Sequence, residues 1–170
     1  MTFIKKLLLR LKFAFVACIM LAYVPVHAQF LTTSYLVEKQ WVYSVYNALT
    51  PQQRIGQLFM LRANSTVDSA EIRELTRLIR EYNIGGLCFF KGGPVRQAIL
   101  TNYYQKLAFT PILIAMDAEW GLGMRLDSTI SFPRQMTIGA MRNEQLITEY
   151  GLTIASQLRR MGVNVSFSPV

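Results

Sequence analysis

The stretch Ala115 to Leu126, AMDAEWGLGMRL, brings Asp117, Glu119, Trp120 and Arg125 together around Gly121 and Gly123. These residue types suit a ligand rich in hydroxyls. A carboxylate accepts two hydroxyl hydrogen bonds at once, and an arginine donates several in a fixed fork. A tryptophan offers a flat apolar face with one polar edge, and glycines let the backbone come close to a ligand. The set points to a sugar, with Asp117, Arg125 and Trp120 as candidate binding residues and Glu119, Gly121 and Gly123 as candidate loop residues. Other roles stand beside these. Asp117 can cap the following turn, Glu119 can pair with Arg125 to hold the loop, and Trp120 can anchor the core. Paired-carboxylate catalysis by Asp117 and Glu119 is poorly supported. The two would share a face only along a continuing strand, and Gly121 argues that the strand has ended.

Elements that position these residues follow from periodicity. Ile112-Leu113-Ile114 is the centre of a buried strand, Pro111 to Met116, which sets Asp117 at its C-terminal edge. In parallel α/β folds, polar residues at that edge form the site. Upstream, Val37 to Leu49 has helical spacing. Thr50-Pro51 restarts a helix, with Ile55, Leu58 and Phe59 on one face. A third helix, capped by Asp68 or Ser69, carries the stripe Ile72, Leu75, Leu78, Ile79 and Tyr82 and ends at Asn83 and Gly85-Gly86. Ile84 to Phe90 reads as a short buried strand and Val95 to Leu107 as a helix. Downstream, Asn143 caps a helix with the stripe Leu146, Ile147, Tyr150, Ile154, Leu158 and Met161. Val163 to Ser168 alternates as a last strand. Apolar strands joined by helices imply a parallel sheet. About three strands are expected, and so open a sheet leaves long unpaired edges, which suggests part of a larger fold.

Composition narrows the function classes. The 170 residues carry a formal charge of +8, but half of that lies in residues 1–28, which hold Lys5, Lys6, Arg10 and Lys12 and no acid. The other basic residues are scattered over helical patterns, as on solvated faces, so no nucleic-acid partner is expected. The basic start, the apolar run Phe13 to Val24, Pro25 and Val26-His27-Ala28 have the layout of a secretory signal peptide. The apolar run is shorter than the about 20 residues of a comfortable membrane span. An uncleaved anchor, or lipidation at Cys18, is the competing reading. The expected organisation is therefore a signal peptide over 1–28, a leader and helix over 29–48, with Gln29 to Glu38 as linker, and a folded domain over 49–170 in a secreted or periplasmic protein. After cleavage one cysteine, Cys88, and no histidine would remain. An internal disulfide, a Cys/His metal site and a histidine-based triad are then excluded. Cys88, within Gly86-Leu87-Cys88-Phe89-Phe90, reads as a buried thiol rather than a nucleophile. No cofactor and no metal are expected.

The segment DAEWGLGMR after a buried strand resembles the D-x-E-G-G-x-V-x-R signature of family 3 glycoside hydrolases, especially the β-N-acetylglucosaminidase branch. Leu49-Thr50 to Gln57-Leu58 is similar to that family's L-T-x-x-x-K-I-G-Q-L opening, with Arg54 at the lysine position. Ile84-Gly85-Gly86-Leu87 resembles its first-strand I-G-G-x. Phe132-Pro133 with Met136 and Gly139-Ala140 resembles F-P-x-x-x-x-x-G-A. Met161-Gly162-Val163-Asn164 with Phe167-Ser168-Pro169-Val170 resembles L-G-I-N-x-x-F-A-P-V. Together these five matches span Leu49 to Val170 in order.

The resemblance implies a partial TIM (β/α)8 barrel, here about the first three strands, and exo-acting hydrolysis with retention through a covalent glycosyl-enzyme intermediate. It implies that Asp117 binds hydroxyls of the non-reducing-end sugar, that Arg125 lies near that site and that Glu119 is structural. Trp120 replaces the signature's first glycine. The family's nucleophilic aspartate and its aspartate–histidine acid/base pair would lie beyond Val170, so no catalytic residue is expected within this chain. The expected partner is a β-linked sugar, with N-acetylglucosamine favoured over glucose, drawn from peptidoglycan or chitin-type polymers. A non-catalytic sugar-binding module, a β-glucosidase of the same family and an unstable truncated product are the alternatives. Oligomeric state is not legible.

Overall fold

The computed structural model describes residues 35–66 and 69–169. The expected signal peptide and the candidate cap Asp68 lie outside the described residues. The chain divides into two compact units, Met1–Ala48 and Leu49–Val170. Within the first, residues 35–48 form helix α1, so the expected linker gives way to helix by residue 35. Ser44 Oγ donates to the Trp41 carbonyl at 2.7 Å within it.

The second unit opens with α2 (Pro51–Gly56), which Thr50 caps as expected. Gln53 N donates to Thr50 Oγ1 at 3.2 Å, and Thr50 N donates to Gln53 Oε1 at 3.0 Å, so each satisfies an orphan end of the helix. The expected apolar face through Ile55, Leu58 and Phe59 does not form. The helix ends at Gly56, and all three side chains are exposed. Gly56 packs so closely on the carbonyl of Tyr82 that a Cβ there would lie 2.0 Å from its oxygen, which fixes where the chain turns.

That turn leads into a strand the sequence pattern did not reveal, β1 (Met60–Ser65). Helix α3 (Ser69–Tyr82), β2 (Gly86–Gly92), α4 (Pro94–Leu107) and β3 (Leu113–Met116) follow. After a loop come α5 (Gln135–Gly139), α6 (Glu144–Arg160) and β4 (Val165–Ser166). The described sheet therefore has four strands, not about three, all parallel and in the order β1-β2-β3-β4. This is the opening of a (β/α) barrel, each strand lying beside the next in sequence.

Register separates two faces. Leu61 aligns with Leu87 and Ile114, and Ala63 with Phe89 and Met116. This face packs on the helices, where Leu75 and Ile79 of α3, Leu100 and Tyr104 of α4, and Ile154 and Leu158 of α6 complete the core. Because side chains alternate along a strand, Arg62, Cys88 and Ala115 lie on the other face. Phe90 and Asp117 continue that face at the C-terminal end.

The expected Asn143 cap holds, whereas Ser69 is the first residue of α3 rather than its cap. Asn143 Oδ1 accepts from Gln145 N at 3.0 Å and Leu146 N at 3.3 Å at the start of α6. Asn83 ends α3 in the left-handed region with φ 50°. Its buried amide donates to Thr110 Oγ1 at 2.9 Å and accepts from Thr110 N at 3.1 Å, tying the end of α3 to the entry of β3.

Candidate functional site

β3 ends at Met116, and its alternation turns Asp117 onto the face away from the helices. A turn closed by Gly121 N donating to the Ala118 carbonyl at 3.0 Å ends the strand direction. The chain then runs through a 3-10 turn, Leu122–Met124, and returns to β2. Leu126 bridges Gly92 in parallel, and Asp127 N donates to the Gly92 carbonyl at 2.9 Å. This return carries Arg125 back over the rim.

Arg125 Nη2 donates to Asp117 Oδ2, and both side chains are 23% exposed. The guanidinium carbon lies 4.8 Å from the centroid of the Phe90 ring. The arginine thus pairs with Asp117, and the alternative in which it holds Glu119 is not what forms. Asp117 keeps a second carboxylate oxygen free of the pair, so the site can both hold its charge and accept a hydroxyl.

Glu119 is engaged through its backbone. Its carbonyl accepts from Gln135 Nε2 at 2.6 Å and from the hydroxyl of Tyr150. Burial raises the Tyr150 phenol above its ordinary pKa, which keeps it a donor. Glu119 lines a cavity of about 320 Å³ with Ile138, Ile147, Tyr150, Ile154 and Ser166.

Trp120 is half-buried and stands outside the buried core, so the core-anchor reading fails. Phe132 N donates to its carbonyl at 2.9 Å. The guanidinium carbon of exposed Arg134 lies 5.1 Å from the centroid of its ring.

Gly121 and Gly123 serve the loop's own packing. Gly121 has φ 85°, and a Cβ on it would lie 2.7 Å from Phe132 Cδ2. A Cβ on Gly123 would lie 2.1 Å from Ser131 Oγ and 2.9 Å from the Ile130 carbonyl. Residues 130–132 therefore fold against the strand-end loop, and α5 starts from them.

Cys88 is buried, as expected of a structural thiol. Burial pushes its pKa up, the Asp117 carboxylate adds to that, and Arg125 offsets part of it. A thiol held protonated is a poor nucleophile. Among the described residues no three His, Cys, Asp or Glu side chains are grouped to hold a metal ion.

The structure thus brings Asp117, Arg125, Trp120 and Glu119 to one rim. It adds Phe90, Phe132, Arg134, Gln135 and Tyr150, none of which sequence reasoning assigned to the site. Phe90 had a signal, since it ends a parallel strand next to the candidate site; Arg134 and Tyr150 had none, since their contacts cross a loop.

The profile described as the glycosyl hydrolase family 3 N terminal domain matches residues 50–170. The chain belongs to that family. Two curated relatives named β-hexosaminidase show the same likeness. The one from Thiobacillus denitrificans is 34% identical over 97 residues, covering 51% of this chain and 27% of its own length. That from Nitrosomonas eutropha is 28% identical over 126 residues, covering 68% of this chain and 35% of its own. This family 3 chain thus matches about a quarter to a third of the length of such relatives. A solved family 3 β-N-acetylglucosaminidase from Paenibacillus sp. is 32% identical with a TM-score of 0.61, over 72% of this chain and 24% of that one. A β-glucoside phosphorylase, BglX, bound to 2FGlc shares the fold at 21% identity and a TM-score of 0.67, over 76% of this chain and 23% of that one.

Proposed function

We propose that this family 3 domain contributes the sugar-gripping rim of a secreted or periplasmic retaining exo-β-N-acetylglucosaminidase acting on peptidoglycan- or chitin-derived sugars. The observation that carries the reading is the Asp117 carboxylate, set at the C-terminal end of β3 and held by Arg125, at the position the family signature gives to an acid that binds sugar hydroxyls. The partial match to curated β-hexosaminidases and to the Paenibacillus enzyme supports N-acetylglucosamine over glucose.

In this reading Asp117 accepts hydrogen bonds from hydroxyls of the non-reducing-end sugar. Arg125 pairs with the carboxylate and orients it, and Trp120 contributes an apolar edge. Glu119, Gly121 and Gly123 shape the loop. Bond cleavage with retention needs a nucleophile and an acid/base group about 5–5.5 Å apart, and the reading places both outside these 170 residues. The chain alone is then inactive.

The test uses the full-length protein as its source cells make it. Hydrolysis of 4-nitrophenyl N-acetyl-β-glucosaminide, faster than of the β-glucoside and with KM raised at least tenfold by Asp117→Asn, is expected. The isolated 170-residue chain should show no turnover. Native-like turnover by that chain would overturn the division of labour. Saturable N-acetylglucosamine binding without hydrolysis by the full-length protein, lost on Asp117→Ala, would replace the enzyme by a sugar-binding module.

A further inference from the structure

We infer that Tyr150 is a positioning residue for the sugar-binding rim, which it aligns through the backbone carbonyl of Glu119. The inference rests on the glycosidase reading above and deepens it by naming what orients Asp117 and Arg125.

The rim needs such a support because the strand does not supply one. β3 ends at Met116, so the residues from Asp117 onward have left the ladder of sheet hydrogen bonds. The loop is tight within itself. Gly121 N donates to the Ala118 carbonyl at 3.0 Å, Met124 N to the Gly121 carbonyl at 3.1 Å and Arg125 N to the Leu122 carbonyl at 3.0 Å. Consecutive turns of this kind carry a shift at Glu119 on to Arg125, whose guanidinium pairs with Asp117. At its far end the loop is tied to β2, where Asp127 N bonds the Gly92 carbonyl. Its near end is tied at Glu119.

That near-end tie is made by side chains. Among the described residues no backbone N–H donates to the Glu119 carbonyl; its donors are the Tyr150 hydroxyl and Gln135 Nε2, the latter at 2.6 Å. Gln135 Nε2 also donates to the Tyr150 hydroxyl at 3.3 Å. A carbonyl only accepts, so the directions are fixed. The phenol gives its single proton to Glu119 and accepts from Gln135.

The ring of Tyr150 holds a second part of the loop. It meets the Phe132 ring edge-on, with centroids 5.7 Å apart and an interplanar angle of 89°. Phe132 lies against Gly121, where a Cβ would come within 2.7 Å of its ring, and Phe132 N donates to the Trp120 carbonyl at 2.9 Å. One side chain therefore reaches Glu119 directly, and Trp120 and Gly121 through Phe132.

Tyr150 is itself held by the core. Tyr150, Ile154 and Leu158 follow at steps of four on one face of α6, and Ile154 and Leu158 are buried in the core. A side chain mounted on a packed helix positions a site more closely than one on a loop.

The experiment measures KM and kcat of the full-length protein on 4-nitrophenyl N-acetyl-β-glucosaminide. Tyr150→Phe removes the hydroxyl and keeps the ring edge on Phe132. It should raise KM about fivefold, the equivalent of one net hydrogen bond. Its kcat should stay within about twofold of native, as for a contact equal in ground and transition state. Gln135→Met removes the other donor from a different helix, should act in the same direction, and serves if Tyr150→Phe fails to fold. In an Asp117→Asn background neither change should raise KM further by more than about twofold, because the contact they align is already lost. A role in stability alone would lower kcat by the fraction of protein unfolded and leave KM unchanged. That result would overturn the inference, and so would a rise in KM as large with Asp117→Asn as without it. In both cases the glycosidase reading stands if Asp117→Asn alone raises KM. If Asp117→Asn leaves KM unchanged, the reading of Asp117 as a sugar contact fails, and this inference fails with it.

Discussion

Arg125 is held between the carboxylate of Asp117, with which it forms an ion pair, and the ring of Phe90, 4.8 Å from its guanidinium carbon. The pair joins the end of β3 to the loop that returns over β2, so it couples a candidate sugar contact to the shape of the rim. Removing either partner leaves a charge in a site that is three-quarters shielded from water. Arg125→Gln should cost about 1–3 kcal/mol in denaturant unfolding, the range for an unsatisfied shielded polar group. Asp117→Asn should cost less, since an amide still accepts from the arginine. In a double-mutant cycle the two changes should fall short of additivity by about 1 kcal/mol or more. Additive effects would show that the pair is only a surface contact.

Phe90 should matter through the same arginine. Phe90→Leu keeps the apolar volume but removes the π face, so it should cost about 0.5–1.5 kcal/mol in the native background. In an Arg125→Gln background that cost should largely vanish. An unchanged cost would mean that Phe90 acts by packing alone.

The rim loop depends on absent side chains. At Gly123 a methyl group would meet Ser131 Oγ and the Ile130 carbonyl, and at Gly121 it would meet the Phe132 ring with φ already at 85°. Gly123→Ala should destabilise by about 1–3 kcal/mol, the cost of overpacking. It should also shift the NMR signals of residues 130–134 more than those of β1. A neutral Gly123→Ala would mean that the loop is free to open.

Much of this was legible in the sequence, and the exceptions have physical causes. The stripes of α3 and α6 and the apolar runs of β2 and β3 show because each buries large apolar side chains at a regular spacing. β1 hides because its buried positions are Ala63 and Ser65, small or polar, while Arg62 and Asn64 alternate with them. Ser65 Oγ donates to the Lys91 and Gly93 carbonyls at 3.1 and 3.2 Å, and Asn64 holds Glu71. A strand fixed by hydrogen bonds to its neighbours lacks the hydrophobic alternation that announces one. The Asp117–Arg125 pair was invisible for another reason. Its eight-residue separation is closed by a loop, not by a helix or strand period, and the same loop left Glu119 equally plausible. α4 carries polar residues, Gln97 and Thr101, on its buried face, so its apolar pattern marked a helix without showing which side faces the sheet.

The end of α3 gives a sharper test of a local device. Asn83 combines a left-handed backbone, φ 50°, with two buried hydrogen bonds to Thr110, and its carbonyl accepts from Gln57 Nε2. Asn83→Ala loses both bonds and strains the backbone, so a loss of about 2–4 kcal/mol is expected from these terms together. Asn83→Gly relieves the strain but not the lost bonds and should recover about 1 kcal/mol of it. Equal losses for alanine and glycine would assign the whole effect to the amide.

Tyr104 should make stability fall at alkaline pH. Its side chain is fully buried between α4 and the sheet, and its hydroxyl has no partner among the described residues. Burial first, then the charges of Glu71 and Tyr103, pushes its pKa up from 10.0 to about 12. The folded chain therefore holds this proton more tightly than the unfolded chain does. The associated stability is complete below pH 10 and is lost as pH rises towards about 12, where the folded phenol itself ionises. Tyr104→Phe removes both the unpartnered hydroxyl and its titration. At pH 7 it should be neutral or stabilising by about 1 kcal/mol. Its advantage in thermal unfolding should then widen between pH 10 and 12. Other tyrosines and lysines titrate in the same window, so the informative quantity is the difference between variant and native curves. A constant difference from pH 8 to 12 would show that the Tyr104 hydroxyl is hydrated in the folded protein.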